Sequence, residues 1–283
     1  MYLARCHGGT IVGAVFKILG SSSSGNAALL RTTDFTILID AGFSGKRLDA
    51  MLAEMDVSAR DLDAVFLTHD HSDHTAGVRG LSRRSDLPFF ANRDTAKAIQ
   101  SGLARRANWK IFETGLCFEF RGLKVSPFAI PHDAYDPVGF LFEWGGDDLF
   151  APRESLAWAT DLGFGTGLVR EKIRGAQTLV IETNYDEELL DRDPRRPWAL
   201  KQRIKGRHGH LSNRDAFEFL ETIESPGWQN VFLAHLSKDC NEVSRVVETF
   251  SSFDRPGCEF SVVDPRNGDL CPVPIASETG IHG

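Results

Sequence analysis

The stretch Thr68 to His74, T-H-D-H-S-D-H, places three histidines and two aspartates within six positions, directly after the apolar run Val65, Phe66 and Leu67. A short apolar run that stops at polar, turn-forming residues reads as a buried strand. His69, Asp70, His71, Asp73 and His74 therefore fall on the loop that leaves it. Neutral imidazole and carboxylate are ligands for zinc, manganese or iron. Histidines two apart suit a tight loop that aims alternate side chains at one point, whereas the helical H-E-x-x-H zinc site needs i, i+4 spacing.

The 283 residues are 42% hydrophobic and 25% charged, enough for one large core. The expectation is a single domain over 1–283 with an irregular tail from about 264 to 283, rich in proline and glycine. No apolar run is long enough to span a bilayer. Ile11 to Leu19 reads as a first strand rather than a signal peptide. Cys6, Cys117, Cys240, Cys258 and Cys271 are scattered, odd in number and outside any CxxC pair. That usage argues against a disulfide scaffold or a cysteine metal site, and for a reducing cytoplasm. A net charge of -7 argues against binding nucleic acid by bulk charge, while leaving room for a local basic patch.

Strand patterns fall at Val12 to Leu19, Ala27 to Thr32, Phe35 to Ile39, Ala64 to Leu67 and Phe89 to Ala91. Leu116 to Phe128 reads as a hairpin turned at Arg121-Gly122. Further strands follow at Val138 to Trp144, Leu156 to Thr160, Thr178 to Glu182, Val231 to Ala234 and Glu259 to Val263. Helical patterns fall at Leu48 to Met55, Thr75 to Arg84, Thr95 to Ala107, Leu168 to Arg174, Ala199 to Ile204, Asn213 to Ile223 and Val243 to Phe250. Strands in series, then strand–helix alternation, fit an α/β protein with two sheets covered by outer helices. Ser212, with Asp215 three residues on, has the form of a capping box for the helix from Asn213.

Active-site groups of layered α/β folds sit where strands end. Six strand exits carry a ligand-type side chain: Asp40, the loop His69 to His74, His132 with Asp133, Asp161, Glu182 and His235. That recurrence is the second indication of a metal centre.

These strings resemble the metallo-β-lactamase superfamily. T-H-D-H-S-D-H matches its HxHxDH signature, and His132-Asp133, Thr160-Asp161 and His235 in A-H-L-S match its later elements. Within the superfamily the chain is most similar to the YycJ/WalJ-like exonucleases, close to the tRNA 3'-processing endonucleases. L-G-S-S-S-S-G-N (Leu19 to Asn26), L-I-D-A-G-F-S-G-K (Leu38 to Lys46), P-H-D-A (Pro131 to Ala134), T-D-L-G (Thr160 to Gly163), E-T-N-Y-D (Glu182 to Asp186), L-K-Q-R-I (Leu200 to Ile204), G-H-L-S-N (Gly209 to Asn213) and H-L-S-K (His235 to Lys238) carry that likeness.

The resemblance implies an αββα sandwich of two mixed sheets flanked by helices, with two divalent metal ions (zinc, manganese or iron) at one edge. His69, His71 and His132 would serve the first ion; Asp73, His74 and His235 the second; Asp161 would bridge. Asp40 would orient the histidine loop from behind. Glu182 and His210 resemble the Glu/His pair of the tRNA-processing relatives, with the histidine near the scissile phosphate. Asp161, His210 and Glu182 are thus the candidate catalytic residues. The chain departs from the pattern at Tyr185, where relatives carry histidine. A phenol is a weak metal ligand at neutral pH. It departs again at Gly145 to Glu154, longer and more polar than the usual hairpin.

Substrate choice turns on Arg192 to Arg207, where Arg192, Arg195, Arg196, Lys201, Arg203, Lys205 and Arg207 face Asp193 alone in sequence. That stretch suggests a phosphate-contacting lip for a polynucleotide, with Lys201, Arg203, Arg207, Ser212 and Asn213 as candidate substrate contacts and Trp198 as a base-stacking platform. The turn S-S-S-S-G-N reads as a hairpin that brushes the site. The resemblance favours DNA over RNA, cut from a 5' end, in a protein for which a dimer is compatible. A hydrolase of small thioesters or lactones would use the same metal loop and should lack both the basic stretch and the G-H-L-S-N histidine. A phosphodiesterase of cyclic nucleotides or other small phosphates is a separate alternative.

Overall fold

The structure is a computed structural model that describes residues 10–11, 14–146, 153–265 and 273–274. In the first half, strands β1 (Thr10–Ile11), β2 (Ala14–Ser22), β3 (Gly25–Arg31) and β4 (Thr36–Ile39) lead into helix α1 (Gly45–Ala53) and strand β5 (Ala64–Phe66). Helices α2 (Ser72–Thr75) and α3 (Val78–Leu81), strand β6 (Pro88–Asn92), helix α4 (Arg93–Ser101) and strand β7 (Asn108–Phe112) follow. The second half runs β8 (Phe118–Phe120), β9 (Leu123–Ala129), β10 (Val138–Gly145), β11 (Arg153–Ala159), α5 (Gly167–Arg174), β12 (Thr178–Glu182), α6 (Glu187–Arg192), α7 (Trp198–Ile204) and α8 (Asn213–Glu221). It closes with β13 (Asn230–Ala234), α9 (Val243–Phe250), β14 (Glu259–Val262) and β15 (Val273–Pro274).

The strands form two sheets, ordered β1-β2-β3-β4-β5-β6-β7 and β15-β14-β13-β12-β11-β10-β9-β8. Each begins as an antiparallel meander and turns parallel, from β4 to β7 in one and from β11 to β14 in the other. The parallel strands are buried on both faces. Ile37, Ile39 and Phe66 point between the sheets, whereas Leu38, Val65 and Leu67 point out under α1, α3 and α4. Phe66 stacks on Phe90 of its own sheet at 4.6 Å and meets Phe140 and Phe142 of the other edge-on at 6.0 and 5.5 Å. Such geometry contributes beyond the area it buries. The outer face of the second sheet is covered by Val169 and Ile173 of α5, Ala216 and Leu220 of α8, and Val246 and Phe250 of α9. This is the expected αββα sandwich.

Local chemistry sets the helix starts. Ser44, Asn92, Thr166 and Asp186 cap their helices by accepting from the N–H three residues on, and Ser212 with Asp215 forms the expected capping box. Arg121 and Gly122 turn the β8–β9 hairpin with φ of 49° and 76°, the left-handed values a two-residue turn needs.

Four expectations need correction. The helix expected over Thr75 to Arg84 is two four-residue helices separated at Ala76 and Gly77. The helix expected over Thr95 to Ala107 stops at Ser101, and Asn108–Phe112 is an edge strand. Glu187–Arg192 forms a helix the periodicity did not suggest. The tail is not wholly irregular, because Val273–Pro274 pairs with Ser261 and Val262. Most of the expected rim loop Gly145 to Glu154 lies outside the described residues.

Candidate metal centre

The parallel strands of both sheets end at one edge, and their exits meet there. Asp40 follows β4, the histidine loop follows β5, Asp161 follows β11, Glu182 ends β12 and His235 follows β13. Asp40, Asp161 and His235 adopt left-handed φ values of 58°, 61° and 59°. Aspartate tolerates that region better than most residues. For His235 it is strain held in place by its surroundings: Ser21 Oγ accepts from its backbone N–H, and Asn184 Nδ2 donates to its carbonyl.

Four sets of ligand atoms converge. His69, His71 and His132 form one group, Asp73, His74 and His235 a second, Asp161 with His69 and His74 a third that joins them, and Asp161, Glu182, His210 and His235 a fourth. Asp161 Oδ2 lies 3.2 Å from His74 Nε2, and its Oδ1 lies 3.7 Å from His132 Nε2 and 3.6 Å from His235 Nε2. One carboxylate thus faces both histidine groups. All seven residues expected as ligands are brought together, and Asp70 stands outside, accepting the Tyr135 N–H at 3.0 Å.

The rear nitrogens of the imidazoles are fixed from behind. His74 Nδ1 donates to Asp40 at 2.8 Å, His132 Nδ1 to the Gly209 carbonyl at 3.1 Å, and His235 Nδ1 to Glu182 at 2.6 Å. Thr68 Oγ1 gives its proton to Asp40, so His69 Nδ1, 3.0 Å away, donates to Thr68. Protons on the rear nitrogens turn the Nε2 lone pairs of all four rings inward. His69 Nε2, His235 Nε2 and Asp161 Oδ2 are buried and make no hydrogen bond. Buried polar atoms without partners are costly, and divalent cations among these donors would satisfy all three. The residues fit the two-ion centre of the family.

Charge at the centre agrees. Burial works against ionised Asp161, yet His235 and His74 hold its carboxyl well below the usual range. Burial likewise works against a charged His74, and Asp161 and Asp40 outweigh it, raising its pKa well above the usual value. His235 is raised to about 10 against burial by Asp161, Asp73 and Glu182. Burial lowers His69 and His132. The field at the centre favours positive charge.

Glu182 is fully buried. Its Oε2 accepts the backbone N–H groups of Leu162 and Leu211 at 2.9 and 3.1 Å, and its Oε1 takes His235 and His210 at 2.6 and 2.8 Å. Burial pushes its pKa up, but His210 and His235 prevail and bring it to about 2. His210 lies on the opening side of the site with Nδ1 3.9 Å from Asp161. A Cβ on Gly209 would meet the Ile204 carbonyl at 2.1 Å, so only glycine lets this loop lie flat and offer its own carbonyl to His132. The cavity in front holds about 240 Å³, walled on one side by Leu200, Arg203 and Ile204 of α7.

The expected substrate contacts divide. Arg203 lines the cavity and grips Asp133 through Nε and Nη2 at 2.6 and 2.5 Å. Arg207 is exposed, with its guanidinium 4.1 Å over the Phe164 ring. Lys201 turns to the Asp191 carbonyl. Ser212 and Asn213 are corrections. Both are buried, Ser212 spent on the α8 cap and Asn213 paired with the Asn241 amide, and neither lines the cavity. Much of the expected basic lip is offset: Arg192 pairs with Glu188, Arg195 and Arg196 with Asp193 and Asp239, and Lys205 with Asp191. Tyr185 is buried beside Leu190 and Cys240, in keeping with a residue off the metal.

Asn26 was not singled out as a site residue. Its Nδ2 lies 3.0 Å from His74 Nε2 and 3.4 Å from Asp73 Oδ2, so the β2–β3 turn does touch the centre. Its signal was the S-S-S-S-G-N turn. Thr68 and the Gly209 carbonyl act only through their neighbours and carried no sequence signal of their own.

The model of the Beta-lactamase superfamily domain matches residues 36–235, which begin in β4 and end on His235. The chain belongs to that superfamily. Among curated members it is 33% identical over 264 residues to "Exodeoxyribonuclease YycJ" of Bacillus anthracis, covering 90% of this chain and 97% of the relative. To "Exodeoxyribonuclease WalJ" of Streptococcus pneumoniae it is 36% identical over 234 residues, covering 81% and 84%. The metallo-beta-lactamase fold protein YhfI from Bacillus subtilis superposes with a TM-score of 0.63 at 17% identity, over 87% of this chain and 94% of that one, a likeness of fold.

Proposed function

We propose that this superfamily member is a metal-dependent phosphodiesterase, a DNA exonuclease acting from a 5' end, built as one domain and working in the cytoplasm. The observation that carries the reading is His210: bonded to Glu182 and 3.9 Å from Asp161, it faces a cavity at the metal centre, in a chain similar over most of its length to two exodeoxyribonucleases. His69, His71 and His132 would hold one cation, Asp73, His74 and His235 the other, with Asp161 toward both. Bound there, divalent cations supply a water of lowered pKa and offset charge on the phosphate oxygens. Glu182 raises the pKa of His210 against the effect of burial. With Nδ1 committed to Glu182, Nε2 is left to give a proton to the leaving oxygen. Arg203 at the cavity wall is positioned to meet a phosphate.

A second reading, a hydrolase of small phosphodiesters, is favoured by the modest cavity and by the carboxylates that offset the basic stretch. One assay panel separates the two. Metal-loaded protein is given 5'- and 3'-labelled single- and double-stranded DNA and RNA beside bis(p-nitrophenyl) phosphate, with Asp73→Ala as blank. Release of nucleotides from the 5' end of DNA is the expected result. Turnover of the small ester with every polynucleotide left intact would refute the nuclease reading.

A further inference from the structure

A second cavity, about 610 Å³, opens between α3 and the segment that joins α4 to β7. Arg79, Arg83 and Arg105 line it with Ser82, and no carboxylate stands among the lining residues. All three arginines are exposed. Among the described residues, none of them forms an ion pair; the nearby Asp86 is taken by Arg84 at 2.7 Å. Arg79 Nη2 donates to the Gly102 carbonyl at 3.3 Å, which ties the two walls together and offsets the negative end of α4. In a chain of net charge -7, three unopposed guanidinium groups around one groove form a local positive field. The 192–207 stretch, far richer in arginine and lysine, has lost most of its field to ion pairs.

Both walls of the groove are tied to the metal centre. Arg79 stands five residues beyond His74, on the helix that continues the histidine loop. The first turn of α4 is fastened to the loop rim, where Thr95 Oγ1 donates to the Tyr135 carbonyl at 2.9 Å and the Tyr135 N–H donates to Asp70. The nine residues of α4 then rise about 13 Å to the groove. That length spans roughly four phosphates of one strand of a B-form duplex at 3.4 Å each, and fewer of an extended single strand.

We propose that the Arg79–Arg83–Arg105 groove binds the phosphodiester backbone of the polynucleotide whose end is cut at the metal centre. The assignment rests on the nuclease reading and names where the uncut part of that substrate lies. Guanidinium groups suit it, because each presents a fork of N–H donors to phosphate oxygens. The contact is to backbone and carries no sequence preference.

The test measures binding of a long phosphorothioate-protected single strand to metal-loaded protein across about 50 to 200 mM salt. The parent is compared with Arg83→Glu/Arg105→Glu and with the milder Arg83→Ser/Arg105→Ser. Arg79 is left alone because it bonds the backbone. Two lost phosphate contacts should lower the slope of log K against log salt by about 1.4, at about 0.7 per single-strand contact. Bis(p-nitrophenyl) phosphate, too short to reach the groove, should turn over as in the parent. If the parent cuts DNA and both pairs keep its affinity and slope, the groove assignment is wrong and the nuclease reading stands. Equal loss on DNA and on the small ester in both pairs would also overturn it. A parent that turns over the small ester yet neither binds nor cuts DNA removes the nuclease reading and the groove with it.

Discussion

Glu182 Oε1 lies 2.8 Å from His210 Nδ1. The same oxygen lies 2.6 Å from His235 Nδ1, so one buried carboxylate joins a proposed metal ligand to the proposed proton donor. The two histidines differ in exposure. Both line the cavity, but His235 is buried with its Nε2 toward Asp161 and Asp73, whereas the His210 side chain is 22% exposed.

That difference makes His210→Ala informative. It should lower kcat by about 10² to 10⁴, the usual range for a lost acid–base group, while metal content stays at the parent level. Elemental analysis beside initial rates checks both. Loss of metal in step with activity would make His210 a ligand rather than a proton donor.

Asp40 is fully buried and accepts from His74 Nδ1, the Thr68 N–H and Thr68 Oγ1. Asp40→Asn keeps the shape and the tolerance for φ of 58° but removes the charge behind His74. Metal affinity should fall about 10- to 100-fold, as for other partners of metal-bound histidines. Competition with a chromogenic chelator measures it, and an unchanged affinity would show that Asp40 serves the fold alone.

Away from the centre, Asp193 is gripped by Arg195 and Arg196, and its pKa sits below the ordinary 3.8. The folded chain therefore binds this proton less readily than the unfolded one. The stabilisation is fully present above about pH 4 and is lost as pH falls through the folded value. The gap in Tm between the parent and Asp193→Asn should be constant between about pH 5 and 7 and narrow steadily as pH falls below about 4. A gap that ignores pH would mean the pair contributes nothing through charge.

Phe66 joins the two sheets through Phe90, Phe140 and Phe142. Phe66→Ala should cost about 3 to 5 kcal/mol, as for large cavities in cores. Urea unfolding reads the loss. A cost below about 1 kcal/mol would mean that the sheets close over the gap.

The metal loop was legible because ligand chemistry demands particular side chains close together, and a strand exit supplies them within six residues. Asp40, Asp161, Glu182 and His235 were legible for the same reason, each at the end of an apolar run. The break at Gly77 was not. Its cause is contact: a Cβ there would meet Leu48 Cδ1 at 2.4 Å and the Phe43 carbonyl at 2.6 Å, and its N–H goes to Ala41. The edge strand Asn108–Phe112 mixes exposed and buried positions too irregularly to show a period. The basic stretch misled because charge in sequence is not charge in space. Asp133 stands 70 residues from Arg203, and Asp239 stands 43 from Arg196. Ser212 and Asn213 stand close to His210 in sequence, but the capping box takes Ser212 and the Asn241 amide takes Asn213.

A dinuclear centre that cuts DNA is tested most directly by metal content and 5'-labelled DNA cleavage followed together while a chelator strips one preparation and a divalent ion restores it. About two ions per chain are expected when the protein is active, with loss of cleavage as they leave and recovery as they return. Undiminished cleavage by the stripped chain, or a fully loaded chain that leaves DNA intact, would contradict it.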